Sequence, residues 1–260
     1  MEDSRPIAVF DSGVGGLSVL VRLRELMPEE DFIYLGDRKN APYGSKTHEE
    51  VRRIAEKNVD MLVLHGAKAV VIACNTATAA AVEPMRKKYP QIPIIGIEPA
   101  VKPAVDAGCG RILVLATPRT VSEPRFIALM ERRAGDSAVI GVPCEGLSQM
   151  VERGECEGEE TDAYFERLFA PFRSDGFDAV VLGCTHYPFV RSAIRRAVGE
   201  NVAIFDGAEG TARHTKRCLE SAGLRAPAGR RGQVTFLATD GEEGVRAIAD
   251  FYRKRCDRHE

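Results

Sequence analysis

Two cysteines stand where their thiols could take part in a reaction. Cys74 and Cys184 each end an apolar run, within residues 70–76 and 180–186, and each precedes a pair of small polar residues or a histidine. Such runs are typical of buried strands in a parallel sheet. In open α/β sheets, ligands bind beyond the carboxyl ends of the strands, just before a helix. The sequence therefore predicts two matched thiols at ligand-binding edges, one from each half of the chain.

A single buried cysteine fills a protein core more often than it reacts. A thiol at the start of a helix faces the positive end of the helix dipole, which lowers its pKa from the ordinary value of about 8.5. Because this arrangement occurs twice, we interpret Cys74 and Cys184 as reactive thiols rather than as core residues. Inversion of a stereocentre by proton transfer needs a base on one face of the carbon and an acid on the other. Two like thiols suit such a reversible reaction.

Three further residues near these positions are candidates, and each has a simpler alternative role. Asp11 and Ser12 end the first predicted strand, where they could face a ligand or cap the next helix. His186 could move a proton near neutral pH, or bond the backbone at a helix start. The glycine-rich turn at residues 13–16 lacks the spacing of a dinucleotide fingerprint, so it indicates at most an anion-binding turn.

The composition excludes several classes of protein. The chain of 260 residues carries a formal net charge of −2, which argues against binding to nucleic acid through phosphate contacts. No apolar run is long enough to span a membrane, and the N-terminal residues lack the pattern of a signal peptide, so we expect a cytoplasmic protein. The seven cysteines include no C-x-x-C pair, and neither a disulfide framework nor a metal site is expected. The five cysteines interpreted as structural or incidental are Cys109, Cys144, Cys156, Cys218 and Cys256.

Strand and helix patterns alternate along the chain, which predicts an α/β fold with parallel sheets and helices on both faces. The order strand, turn, helix, strand, helix, strand, cysteine occurs twice, offset by roughly 110 residues, and indicates a duplicated architecture. Residues 36–46 read as a polar loop, and Thr47 and Glu50 form a capping box that opens a long helix. One helix is expected from the turn at 116–120 to about residue 133.

Six motifs carry a resemblance to a known family, and they occur in the same order along nearly the whole chain. The motifs are VFDSGVGGL at 9–17, DRKNAPYG at 37–44, ACNTA at 73–77, GIEPA at 96–100, GCTHYP at 183–188 and DG at 206–207. On these residues the chain resembles the glutamate racemases, cofactor-independent enzymes that interconvert L- and D-glutamate for bacterial cell-wall synthesis. The two cysteine motifs are the specific part of this resemblance.

The resemblance implies two flavodoxin-like α/β domains with parallel sheets in pseudo-twofold relation and an active site between them. The first domain would comprise residues 1–98 and 210–260, and the second residues 99–209. Cys74 would deprotonate D-glutamate and Cys184 would deprotonate L-glutamate. Asp11 would assist Cys74, and Glu152 and His186 would assist Cys184. The residues expected to contact substrate are Asp11, Ser12, Pro42, Tyr43, Gly44, Asn75, Thr76, Thr117, Thr120, Thr185 and His186.

The expected partner is glutamate as a small-molecule substrate, with no cofactor, no metal, no nucleic acid and no membrane, and a homodimer is possible. Three alternatives remain open. The chain could be an aspartate or other amino-acid racemase of the same superfamily, or an amino-acid-binding protein without turnover. A thiol hydrolase would need one nucleophile and a base, and it would leave the second cysteine without a role.

Overall fold

The structure, a computed structural model, describes residues 2–256 and contains two compact α/β units. The first unit comprises the described residues up to Glu98 and those from Ala208 onward, and the second comprises Pro99–Gly207. The chain thus returns to the first unit two residues before the predicted boundary. Within the described residues, no helix combines the length and apolarity needed to cross a lipid bilayer.

Nine strands are present in the described chain, and every pairing is parallel. They are β1 (Ile7–Asp11), β2 (Phe32–Gly36), β3 (Ala69–Ile72), β4 (Ile94–Gly96), β5 (Arg111–Ala116), β6 (Ala138–Pro143), β7 (Ala179–Leu182), β8 (Ala203–Asp206) and β9 (Val234–Ala238). The first sheet has the order β4-β3-β1-β2-β9, and the second has the order β6-β5-β7-β8. The predicted α/β fold with parallel sheets is confirmed.

Eleven α-helices connect these strands in the described chain. They are α1 (Leu17–Leu26), α2 (His48–Leu64), α3 (Asn75–Lys88), α4 (Val101–Asp106), α5 (Pro118–Val121), α6 (Pro124–Ala134), α7 (Leu147–Glu152), α8 (Glu159–Phe169), α9 (Arg191–Val198), α10 (Ala208–Ala222) and α11 (Glu242–Arg255). The capping box at the start of α2 is present, since the Thr47 hydroxyl accepts from the Glu50 amide and the Glu50 carboxylate accepts from the Thr47 amide.

The two sheets share one strand order, which locates a ligand-binding edge in each. Reading from the second strand, both follow the order 2-1-3-4, as β2-β1-β3-β4 and β6-β5-β7-β8. In this flavodoxin-like order the connections reverse direction between the first and third strands, and a crevice opens there at the carboxyl edge. The switch points therefore lie between β1 and β3 and between β5 and β7. All five residues of β1 are buried, as expected for a central strand covered on both faces.

Three local expectations differ from the structure. The helix predicted to continue to residue 133 is divided into α5 and α6, because Pro124 cannot donate a backbone hydrogen bond and starts a new helix instead. The loop at 36–46 contains two single 3₁₀ turns, Arg38–Asn40 and Tyr43–Ser45, and a cis peptide bond before Pro42. The short helix α7 was not predicted, and Glu152 is its last residue.

A buried ion cluster joins the returning C-terminal segment to the first sheet at its amino edge. Lys68 and Glu30 have fully buried side chains, and the Lys68 ammonium lies 2.6 Å from the Glu30 carboxylate. The other Glu30 oxygen accepts from the Ala226 amide at 2.9 Å and from the Arg225 guanidinium at 3.2 Å. Removal of one partner would leave a buried charge unpaired, which typically destabilises a protein by about 3–5 kcal/mol.

Candidate active site

The first thiol stands at the switch point of the first sheet. Cys74 is the N-cap residue of α3 and is 6% exposed. The Ala73 amide donates to the Phe10 carbonyl at 2.8 Å, so Cys74 follows β3 directly beside Asp11 at the end of β1. The Cys74 thiol lies 3.8 Å from the Ser12 hydroxyl. The 14-residue helix α3 presents its positive dipole end here, an arrangement that favours a thiolate.

Asp11 is fully buried and is held by its own turn. One of its carboxylate oxygens accepts from the Gly13 amide at 2.9 Å. The N-cap of α1 is Gly16 and has no side-chain cap, so the alternative in which Asp11 or Ser12 caps this helix is wrong. A Cβ atom on Gly16 would lie 2.6 Å from the Asp11 Cβ, and only glycine allows this close approach. Asp11 is therefore confined between the turn and the helix start.

The start of α3 also contains a polar atom that the protein does not satisfy. Among the described residues, the Asn75 side-chain oxygen is buried and has no hydrogen-bond partner. Such atoms are rare and are usually satisfied by a bound water or ligand. Thr76 is buried next to it, and Thr78 donates its hydroxyl to the Ile72 carbonyl at 2.9 Å. The predicted contact residues Asn75 and Thr76 thus lie in the first turn of the helix that follows Cys74.

Tyr43 joins this group from the loop after β2. Its side chain is 2% exposed, packs against Phe10 with ring centroids 6.3 Å apart, and belongs to the same buried cluster as Cys74. Burial, and then the negative charges of Asp37 and the neighbouring thiol, raise the pKa of Tyr43 well above its ordinary value. The phenol therefore stays neutral and acts as a donor. Pro42 is exposed and Gly44 is partly buried.

The second thiol occupies the equivalent switch point of the second sheet. The Gly183 amide donates to the Leu115 carbonyl at 2.7 Å, which carries the chain past the end of β7 to Cys184. A Cβ atom on Gly183 would lie 2.8 Å from that same carbonyl oxygen. The next element is a single 3₁₀ turn, Tyr187–Val190, and α9 begins only after it. The expectation that both thiols precede an α-helix directly is therefore wrong for Cys184.

His186 connects Cys184 to a carboxylate. Its Nδ1 lies 3.6 Å from the Cys184 sulfur, and its Nε2 lies 2.7 Å from a carboxylate oxygen of Glu152. Burial alone would lower the pKa of His186, but the contacts with Cys184 and Glu152 outweigh it and hold the pKa well above the ordinary value. Within the described part of the chain, the ring has side-chain partners at both nitrogens and does not bond the backbone. The second thiol thus has an imidazolium beside it.

Thr117 and Thr120 lie at the same edge, after β5. Thr117 is the N-cap of α5, and its hydroxyl accepts from the Thr120 amide at 3.2 Å and pairs with the Thr120 hydroxyl at 2.9 Å. Both side chains are nearly buried, as is Thr185. Since β5 and β7 are adjacent, with Leu115 paired to Leu182, Thr117 and Cys184 follow neighbouring strands.

One neighbour of the second thiol is Cys144, a cysteine that the sequence pattern indicates to be structural or incidental. Cys144 follows β6 at the same edge and is 1% exposed. Burial, and then the nearby Cys184, raise the pKa of Cys144 to about 12, so it remains a neutral thiol at physiological pH. The hydroxyls of Tyr164 and Tyr187 face it. No sequence signal distinguished Cys144 from the other dispersed cysteines.

The structure gathers the predicted residues into two groups, each within one unit. Asp11, Ser12, Tyr43, Cys74, Asn75 and Thr76 are in the first unit, and Thr117, Thr120, Glu152, Cys184, Thr185 and His186 are in the second. Across the described residues, no set of three or more histidine, cysteine or acidic side chains is arranged to hold a metal ion. Each group combines a thiol with backbone amides and hydroxyls, which can transfer a proton and bind carboxylates.

A family model and curated relatives both match most of this chain, and both are racemases. The model of the Asp/Glu/hydantoin racemase family matches residues 17–215. A curated glutamate racemase of Clostridium novyi is 50% identical over 215 residues, which is 82% of this chain and 83% of that protein.

Two solved structures with glutamate bound are also similar. The glutamate racemase of Francisella tularensis in complex with D-glutamate has a TM-score of 0.86 at 27% identity, covering 97% of this chain and 94% of that one. The Escherichia coli glutamate racemase in complex with L-glutamate and the activator UDP-MurNAc-Ala has a TM-score of 0.84 at 27% identity, covering 96% and 95%.

Proposed function

The chain belongs to the glutamate racemases of the Asp/Glu/hydantoin racemase family, and on that premise we propose that Cys74 and Cys184 interconvert L- and D-glutamate. The observation that carries this mechanism is the position of each thiol at the switch point of its own sheet. The reaction needs no cofactor and supplies D-glutamate for peptidoglycan synthesis. Similar proteins hold both D- and L-glutamate, which supports one site for both enantiomers.

Proton transfer runs from one face of the α-carbon to the other. From L-glutamate, the Cys184 thiolate removes the α-proton and becomes a thiol, and the electron pair of the broken C–H bond delocalises into the α-carboxylate. The Cys74 thiol then donates its proton to the opposite face, which gives D-glutamate and leaves the Cys74 thiolate. The reverse reaction exchanges the two roles. Each turnover therefore leaves the enzyme ready for the other enantiomer.

The partners of each thiol support different parts of this cycle. We assign Asp11 to Cys74, as the buried carboxylate beside it, and His186 with Glu152 to Cys184. An imidazolium next to Cys184 stabilises its thiolate, and the Glu152 carboxylate keeps the ring charged. The positive end of α3 does the same for Cys74. Each thiol is thereby set for both the base and the acid step.

Charge that develops on the substrate needs hydrogen-bond donors already in place. We assign this role, and the binding of the two carboxylates and the ammonium group, to residues at the two sheet edges. They are Asp11, Ser12, Pro42, Tyr43, Gly44, Asn75, Thr76, Thr117, Thr120, Thr185 and His186. The unpartnered Asn75 oxygen suits an ammonium donor, because that acceptor has no partner within the described protein. Proton transfer between fixed groups then requires only small movements of the substrate.

A direct test follows racemisation by circular dichroism, with purified enzyme, no added pyridoxal phosphate, and L- or D-glutamate as substrate. We expect both enantiomers to reach the racemic mixture, and Cys74→Ala and Cys184→Ala each to lose turnover by at least about 10³-fold, since general acid–base groups contribute 10²–10⁴-fold. Cys109→Ala is the matched control, because that buried thiol lies after α4 and outside both groups. Retained racemisation in either active-thiol variant would reject the two-thiol mechanism.

The substrate alternatives are separated by the same assay. Turnover of aspartate with none of glutamate would favour an aspartate racemase. Binding of glutamate without exchange of the α-hydrogen in deuterated water would favour a binding protein. We further propose that the enzyme works in the cytoplasm, where reducing conditions keep catalytic thiols free. A homodimer remains a proposal that sedimentation analysis of the purified protein tests.

A further inference from the structure

One buried carboxylate near the first thiol is unused by the proposed chemistry. Asp37 follows β2, is fully buried, and accepts hydrogen bonds from four side chains. The Tyr43 hydroxyl and the Asn58 amide donate to Oδ2 at 2.5 and 3.0 Å. The Thr239 hydroxyl donates to Oδ1 at 2.6 Å, and the Asn40 amide reaches both oxygens at 2.9 and 3.1 Å. Four donors to one carboxylate fix it in a single orientation.

Thr239 brings the C-terminal segment into this network. It lies in the corner between β9 and α11, and its hydroxyl also accepts from the Lys39 amide at 3.1 Å. The next residue, Asp240, forms an ion pair with Arg38 at 3.0 Å. The corner therefore contacts both the side chain of Asp37 and the backbone of the loop that leads to Tyr43. The two hydrogen bonds of Thr239 join residues that are about 200 positions apart in the sequence.

Tyr43 is the part of this network that reaches the thiol site. Its ring packs beside Phe10 and Cys74, and its hydroxyl points to Asp37. The hydrogen bond to Asp37 anchors the hydroxyl end of the Tyr43 ring, and Tyr43 lies in the same 3₁₀ turn as Gly44. A substitution at Thr239 would thus alter the orientation of the Asp37 carboxylate and, with it, the position of the Tyr43 hydroxyl.

We propose that Thr239 is a positioning residue for the first thiol site, which orients Asp37 so that Tyr43 and Gly44 are held where substrate binds. The inference rests on the proposed function, because Tyr43 and Gly44 are substrate contacts only if that function holds. Without Thr239, Asp37 keeps three donors and stays hydrogen-bonded. The fold therefore survives the loss, whereas Oδ1 keeps only Asn40 and the orientation relaxes.

The first experiment compares Thr239→Val, which removes the hydroxyl at nearly constant shape, with Thr239→Ser, which restores it. Thr235→Val is the matched control, since Thr235 lies on β9 with an exposed side chain. We expect Thr239→Val to raise KM for both enantiomers by about tenfold with kcat within about twofold, because weaker binding of substrate and transition state alike raises KM alone. Thr239→Ser and Thr235→Val should match the wild type in KM and in melting temperature.

A double-mutant cycle with Tyr43→Phe tests whether Thr239 acts through the Tyr43 hydroxyl or destabilises the site independently of it. Tyr43→Phe removes the donor that conveys the orientation of Asp37, so Thr239→Val should add little to the KM of that variant. Unchanged KM in Thr239→Val, or effects of the two substitutions that simply multiply, would overturn the proposal.

Calorimetric titration of each variant with D-glutamate gives a readout that does not need turnover. Wild-type protein that binds D-glutamate but does not racemise it would contradict the proposed function and leave the affinity comparison intact. Wild-type racemisation with equal D-glutamate affinity in Thr239→Val would contradict the positioning role alone.

Discussion

The two thiol sites share a position in the fold but differ in what surrounds the sulfur. Cys74 caps a 14-residue α-helix and lies beside the Ser12 hydroxyl and the buried Asp11. Cys184 precedes only a four-residue 3₁₀ turn, and it has the His186–Glu152 pair instead. A short turn has few aligned peptide dipoles, so a formal charge replaces the helix dipole. Under the proposed function, equivalent positions thus place a different source of positive potential beside each sulfur.

Among the substitutions that compare the two sites, Cys74→Ser and Cys184→Ser should have the largest effects, because a hydroxyl is a much weaker acid than a thiol. Racemisation should fall by about 10²–10⁴-fold in each. Since L- and D-glutamate have equal free energy, kcat/KM must fall equally in both directions. A difference between the two thiol sites therefore cannot appear in kcat/KM, and we expect it in the isotope effects. With α-deuterated substrates, Cys74→Ser should show the larger isotope effect for D-glutamate and Cys184→Ser for L-glutamate. If the larger isotope effect occurs with the same enantiomer in both variants, the assignment of one enantiomer to each thiol is wrong.

The second comparison concerns the glycines that place the groups at the two sheet edges. An added Cβ would meet the Leu115 carbonyl at 2.8 Å in Gly183→Ala and the Asp11 Cβ at 2.6 Å in Gly16→Ala. A misplacement of about 1 Å can reduce catalysis by about 10²-fold, and we expect losses of that order, measured as kcat/KM. Gly210→Ala is the control, because a Cβ there meets open space within a helix. Wild-type kinetics in Gly183→Ala would show that the Cys184 position tolerates displacement.

Removal of the carboxylate behind His186 should affect only the second site. Glu152→Gln should lower the pKa of His186, because the charge that favours the imidazolium is lost. We expect kcat to fall by about tenfold, with the larger isotope effect for L-glutamate. Imidazole NMR signals recorded across a pH titration give the pKa of His186 directly. An unchanged pKa would show that Cys184 alone keeps the ring charged.

The same pair predicts a pH dependence of stability. The pKa of His186 is raised in the folded protein, so its contribution is complete below the unfolded value of about 6.5. That contribution is lost as the pH rises through the folded-state pKa. The free energy of unfolding should therefore decrease over this alkaline range more in the wild type than in Glu152→Gln, measured by denaturant titration. A parallel decrease in both proteins would contradict the assignment.

The smallest effect is expected from Cys144, the third thiol at a sheet edge. Its pKa of about 12 keeps it protonated, so it should contribute packing rather than proton transfer. Cys144→Ser should retain racemisation within about threefold. Mass spectrometry after alkylation at pH 8 should find Cys144 unmodified in the folded wild type. A loss comparable to that of Cys184→Ser would place Cys144 in the chemistry.

Patterns within short windows of sequence predicted much of this fold. The apolar runs predicted β3 and β7 and the thiols that follow them, and the Thr47–Glu50 pair predicted the start of α2. These features depend on residues three or four apart or on local hydrophobicity, which a single sequence displays. The 3₁₀ turn after Cys184 was not predicted, because a 3₁₀ turn and an α-helix begin with similar residues.

The Asp37 network was not predictable for a different reason. Its donors Asn58 and Thr239 lie 21 and 202 residues away, and each looks like an ordinary polar residue in its own segment. Only the folded sheet, with β9 beside β2, brings Thr239 to the loop after β2. Likewise, α7 is a single short helix whose six residues carry no strong periodicity, yet it delivers Glu152 to His186.

The discontinuity of the first unit has a consequence for biosynthesis. All four strands of the second sheet lie within residues 111–206, whereas β9, the partner of β2, lies at 234–238. On the ribosome, β2 emerges well before β9 and exposes an unpaired edge until about 200 further residues have been made. Glu30, which pairs with Lys68, likewise meets Arg225 only after that later segment has been made. The second unit can therefore complete its sheet during translation, while the first unit, with its Tyr43 loop, matures last.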